Sequence, residues 1–160
     1  MVTCLPLSIF LGGIKTNITK YFVMDIETAP DERSNEYSMF FPKSKKRPGL
    51  HAFRSKIVAL SVLYDERMVS LVVDDNPVRE RAILKWLWDF VGSHKDYNMV
   101  GYNIKNFDIP FIRVRSARHG IQCNLPGRNS NRIIDIYDLM GGKWQTDVSS
   151  GTLSELAWYL

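Results

Sequence analysis

Residues 20–28 read Lys20-Tyr21-Phe22-Val23-Met24-Asp25-Ile26-Glu27-Thr28. The stretch is a short apolar run interrupted by acids at alternate positions, which is the pattern of a β-strand. Side chains alternate along a strand, so Asp25 and Glu27 point to the same face. Two carboxylates a few ångströms apart raise one another's pKa and resist burial unless a cation neutralises them, and a metal site is the economical explanation. The competing explanation is that one of the pair faces solvent at a fraying strand end, because a bare D-x-E occurs by chance in many proteins.

On the C-terminal side of this strand, residues 29–53 are rich in Pro, Ser and charge and hold no sustained period, the composition of a long loop. KIVALSVLYD (56–65) and RMVSLVVDD (67–75) are β-branched runs joined by the polar link Asp65-Glu66-Arg67, which predicts a hairpin completing a three-strand antiparallel meander. Asn76 followed by Pro77 predicts a helix start, and Ile83, Trp86, Leu87 and Phe90 then recur at helical spacing. YNMVGYN (97–103) reads as a strand. Asp108 reads as the cap of a helix running through FIRVRSARHG (111–120), with Gly120 as the stop. NRIIDIYDLM (131–140) is a further strand candidate. Thr152-Leu153-Ser154-Glu155 is a capping box that opens a helix cut off at Leu160. Three strands followed by helix, strand, helix, strand, helix imply an α/β fold, a mixed sheet with helices on both faces. Residues 1–20 form an N-terminal extension and 21–160 a single domain.

Composition narrows the function classes. The 160 residues are 45% hydrophobic, enough for one core, with no repeat and no apolar run able to cross a bilayer. The apolar start has no basic n-region and no cleavage site of a secretory signal. Cys4 and Cys123 are too few for a disulfide framework or a cysteine-based zinc site, so a reducing, cytoplasmic setting is expected. The formal net charge of +4 is modest, but its distribution is uneven. No Asp or Glu occurs from Tyr37 to Tyr64, where Lys43, Lys45, Lys46, Arg47, Arg54 and Lys56 fall together. Such a block suits contacts to a nucleic-acid phosphate backbone, and equally suits a solvated loop.

A third acid stands at the next strand-to-helix junction. In Gly101-Tyr102-Asn103-Ile104-Lys105-Asn106-Phe107-Asp108-Ile109-Pro110-Phe111-Ile112, a carboxylate at a helix N-terminus is kept ionised by free amides and the helix dipole, which suits a metal ligand as well as a plain cap. Together, FVMDIET and GYNIKNFDIPFI resemble the first and second exonuclease motifs of family-B DNA polymerases and of stand-alone polymerase-B-like exonucleases. These belong to the aspartate-glutamate (DEDD) superfamily within the ribonuclease-H-like fold. The resemblance spans nearly all residues after Tyr21.

That resemblance implies a 3′-to-5′ exonuclease hydrolysing phosphodiester bonds at single-stranded or frayed DNA 3′ ends, with RNA a further possibility. It places the catalytic metal ligands on Asp25, Glu27 and Asp108, holding two divalent cations, Mg2+ or Mn2+. It places Thr28 beside the terminal nucleotide, Asn103 in support of the site or against substrate, and Phe107 near the terminal base, although apolar statistics favour the core for Phe107.

One departure stands out. The family's third motif, Y-x-x-x-D or H-x-x-x-x-D with a fourth acid, is not found: Tyr137 is followed four positions later by Gly141, and His119 has no Asp five positions on. Asp135 and Asp138 lie on the preceding strand, where the family carries an acid outside its four ligands. Asp147 falls in a loop. A fragment of a longer exonuclease is the reading favoured here. The alternative is a catalytically weak or silent module that tracks phosphates through the Lys43–Lys56 segment with Arg113, Arg115 and Arg118. Oligomeric state is not readable from the sequence.

Overall fold

The computed structural model describes residues 20–31, 50–73, 76–127 and 130–139. Strands β1 (Tyr21–Pro30), β2 (Ser55–Tyr64) and β3 (Arg67–Val72) form the expected antiparallel meander. Helix α1 (Pro77–Ser93), strand β4 (Asn98–Gly101), helix α2 (Asp108–Arg118), strand β5 (Ile133–Asp135) and the one-turn helix α3 (Ile136–Leu139) follow. The sheet order is β3-β2-β1-β4-β5, with β4 parallel to β1 and β5 parallel to β4.

The local reasons are legible. Asp65 and Glu66 close the β2–β3 hairpin at φ 45° and 62°, so the turn is a tight two-residue one whose twist matches the strands, and Arg67 already pairs with Tyr64. Asn76 Oδ1 accepts from the Val78 amide at 2.9 Å and Pro77 opens α1. Gly120 turns the chain away after α2 at φ 64°. The β1–β2 register shifts between Glu27 and Thr28, whose partners are Ala59 and Ile57, so Val58 is the extra residue of a bulge. Ile57 and Leu60, three apart, are therefore both buried.

Phe22, Met24 and Ile26 of β1 are buried in a core shared with Ile57, Leu60 and Val62 of β2, with Leu84, Leu87 and Trp88 of α1, and with Ile109 and Ile112 of α2. Both connections, β3 to β4 and β4 to β5, run in the same direction across the sheet. Right-handed crossovers then lay α1 and α2 side by side on one face. Trp88 Nε1 donates to Ser116 Oγ at 3.0 Å between them. The helix expected at 152–160 lies outside the described residues, as do the extension 1–19 and Asp147. Among the described residues no helix is long and apolar enough to cross a membrane.

Two expectations need correction. Residues 131–140 are not one strand: pairing with β4 ends at Asp135, whose carboxylate accepts the Tyr137 amide at 3.1 Å and turns the chain into α3. Asp108 does not cap α2. Phe107 occupies the cap position without a side-chain hydrogen bond, and Asp108 is the first helical residue.

Candidate active site

The carboxyl ends of the parallel strands β1, β4 and β5 lie along one edge of the sheet, where α/β folds assemble their ligand sites. The β1–β4 ladder ends at Val23 and Val100. Beyond it, the side chain of Asp108 takes the place of a neighbouring strand: its Oδ1 accepts the Ile26 amide at 3.1 Å. That amide lies between Asp25 and Glu27 in the chain, so the fold brings the third sequence-predicted acid to the first two across 82 residues. Asp25 and Glu27 are exposed, whereas Met24 and Ile26 between and before them are buried, as strand alternation requires.

Asp108 is only 3% exposed. Burial, and after it the charge of Asp25, pushes its carboxyl up to about 7. Partial burial and the charge of Glu27 raise Asp25 as well. The carboxylates thus stand close enough to oppose each other's ionisation. Among the described residues no three His, Cys, Asp or Glu side chains converge on a common metal position. The donor set is all carboxylate, the hard oxygen chemistry of magnesium or manganese, so these residues fit such a cation by their chemistry.

The softer candidates fall nearby. Thr28 is half-buried at the bulge directly after Glu27. Asn103 sits at φ 56°, its amide donating to Asp135 Oδ1 at 2.7 Å and its own Oδ1 accepting from Asn106 Nδ2 at 3.0 Å. Phe107 is half-buried against the core, its ring 5.6 Å from that of Phe111. Arg54 is 6% exposed, so little of it is offered to solvent. Lys43, Lys45, Lys46 and Arg47 lie outside the described residues.

Arg115 is corrected as a surface residue. It is 2% exposed and forms a bidentate pair with Glu80, Nε to Oε1 at 2.7 Å and Nη2 to Oε2 at 2.5 Å. Arg118 is engaged with Asp31 at 2.7 Å, and Arg113 Nη2 donates to the Pro126 carbonyl at 3.0 Å. The sequence held a signal for this pair: Glu80 falls on the apolar stripe of Leu84, Leu87 and Val91, and Arg115 on that of Phe111 and Ile112. A charge on each of two buried stripes marks partners. Asp135, set aside on sequence grounds, is 1% exposed and accepts three backbone amides, two of them from the loop that leads to Asp108.

In comparisons with known proteins, a family B DNA polymerase from the hyperthermophilic archaeon Pyrobaculum calidifontis is similar in structure, with a TM-score of 0.61 at 19% sequence identity. The similarity covers 88% of this chain and 18% of the polymerase, so the chain spans less than a fifth of that protein, and what the two share is the fold. No curated protein matches significantly. The family model for predicted 3′-5′ exonucleases related to the exonuclease domain of PolB matches residues 48–131, more than half of the sequence. The chain therefore belongs to the family of predicted 3′-5′ exonucleases related to the PolB exonuclease domain.

Proposed function

We propose that this chain hydrolyses phosphodiester bonds from the 3′ end of single-stranded or frayed DNA, using divalent cations held by Asp25, Glu27 and Asp108. The observation that carries the reading is the buried Asp108 carboxylate seated on the amide between Asp25 and Glu27. A carboxylate in that position, beside another and without a basic partner among the described residues, is costly as structure and useful as a ligand. Magnesium or manganese, when bound, would polarise the scissile phosphate and ease ionisation of the attacking water. The chain's own part is to fix the acids on a rigid strand edge, to keep Asp108 shielded from bulk water, and to offer Thr28 and Phe107 beside the terminal nucleotide. Asn103 supports the loop that carries Asp108.

The silent phosphate-tracking alternative is weakened by the positions of Arg54 and Arg115, both buried. The test is end-labelled single-stranded DNA with magnesium or manganese. Stepwise shortening from the 3′ end is expected, slowed at least ~100-fold by Asp25→Ala, as for loss of a metal-holding group. Intact substrate with the wild-type chain, or cleavage that Asp25→Ala leaves untouched, would overturn the proposal.

A further inference from the structure

We propose that Asp135 is a positioning residue for the acidic site: it locks the left-handed turn at Asn103 and so places the Asp108 carboxylate on the Ile26 amide. The proposal rests on the reading of Asp108 as a cation-holding group.

The connection between β4 and α2 is short and must reverse direction to bring Asp108 back beside β1. It does so through Asn103 at φ 56°, a conformation that costs a residue with a Cβ and persists only when its surroundings hold it. Asp135 supplies the hold. It is the ladder partner of Gly101 on the edge strand, and from there Oδ1 accepts the Asn103 amide at 2.7 Å while Oδ2 accepts the Lys105 amide at 3.0 Å. Oδ1 also accepts the Tyr137 amide at 3.1 Å, so one carboxylate ties the loop before α2 to the corner after β5.

The constraint then passes along the backbone. The Asn103 carbonyl accepts the amides of Asn106 and Phe107 at 3.1 and 3.0 Å, and the Ile104 carbonyl accepts the Ile109 amide at 3.0 Å. These bonds fix the residues on both sides of Asp108. Two contacts brace the same loop from the same corner: Lys105 Nζ reaches Asp138 at 3.0 Å, and the Tyr102 ring meets Tyr137 edge-on at 5.6 Å. Gly101 completes the fit, because Ile104 folds back to within 2.8 Å of where a Cβ would stand.

Both oxygens of Asp135 face amide donors, so only a carboxylate satisfies the site. Asp135→Asn keeps the shape and presents an NH2 to one of those donors, most simply that of Lys105. The experiment measures amide hydrogen exchange of the full chain, manganese affinity by calorimetry, and hydrolysis of single-stranded DNA. In Asp135→Asn, protection of the Ile26 amide is expected to fall about tenfold while Val62 in the sheet centre keeps its protection. Manganese affinity is expected to fall by about 10- to 100-fold, with kcat lowered similarly and KM little changed. Wild-type protection at Ile26 overturns the proposal, whether or not manganese affinity changes, because Asp108 would then be placed without Asp135. Lost protection with wild-type manganese affinity overturns it too, since the placement would not serve the site. If the wild-type chain neither binds manganese nor cuts DNA, yet Asp135→Asn exposes Ile26, the exonuclease reading falls and the placement of Asp108 by Asp135 stands. Should Asp135→Asn fail to fold, exchange of the wild-type chain in rising denaturant decides. The amides of Asn103, Lys105 and Ile26 are expected to open together, and separate opening of Ile26 overturns the proposal.

Discussion

Glu80 and Asp108 are both buried carboxylates of the same domain, and the chain treats them in opposite ways. Glu80, 2% exposed, receives two nitrogens of Arg115, the His119 ring at 2.8 Å and the Ile57 amide at 2.9 Å. Burial alone would push its carboxyl up; the hydrogen bonds from Arg115, His119 and Ile57 outweigh burial and hold it below the ordinary range. Asp108, 3% exposed, accepts the Ile26 amide but has no Arg or His beside it among the described residues, so burial and then the charge of Asp25 raise its carboxyl to about 7. Glu80 is a charge the fold has already answered. Among the described residues Asp108 has no cationic partner of that kind, and the contrast is the ground for proposing that one acid is structural and the other functional.

The contrast can be broken at either end. The largest effect is expected from Glu80→Ala, which takes the bidentate partner from the buried Arg115 guanidinium and leaves it the longer contact to Asp31 at 3.6 Å: a loss of about 3–5 kcal/mol in denaturant unfolding, the cost of breaking a buried pair. Asp108→Asn should do the reverse. Its amide oxygen can still accept from Ile26 while the charge disappears, so at pH 8 without metal the variant gains roughly 2–4 kcal/mol of stability and loses nuclease activity.

The pH dependences should also oppose one another. The folded-state midpoint of Asp108 lies above its unfolded value, so its contribution is fully present below about pH 4 and is lost as pH rises through about 7. For Glu80 the folded midpoint is depressed, and its contribution is present above the unfolded value and lost as pH falls through the folded one. Metal-free unfolding curves of wild type, Asp108→Asn and Glu80→Gln across pH separate the two arms. Gly101→Ala should cost about 1–3 kcal/mol, since its Cβ would meet Ile104 at 2.8 Å, and it should lower activity by moving the loop that carries Asp108. The smallest effect is Asp25→Asn on the Asp108 titration: a downward move, by less than burial contributes, because the neighbouring charge is the second cause of the shift.

Much of this could be read from the sequence. The alternation of KYFVMDIET placed Asp25 and Glu27 on one face, the Asn76-Pro77 pair set the start of α1, and the two motifs set the order of the elements, because each depends on chemistry within a few residues. What could not be read depends on distant partners. Nothing local says that Asp108 bonds to strand β1 instead of capping its own helix, or that the apparent strand at 131–140 turns after Asp135. The Glu80–Arg115 pair lay half in view, as a charge on each of two apolar stripes 35 residues apart, but pairing them required knowing that α1 and α2 share a face.

The central claim, that Asp108 is held in readiness for a cation, is tested most directly by following the Asp108 carboxyl carbon by NMR across pH with and without saturating magnesium. Without the metal the midpoint should lie near 7. With it the midpoint should fall by more than about 2 units, because a bound cation favours the ionised form and displaces the proton. A midpoint that magnesium does not move would contradict the account.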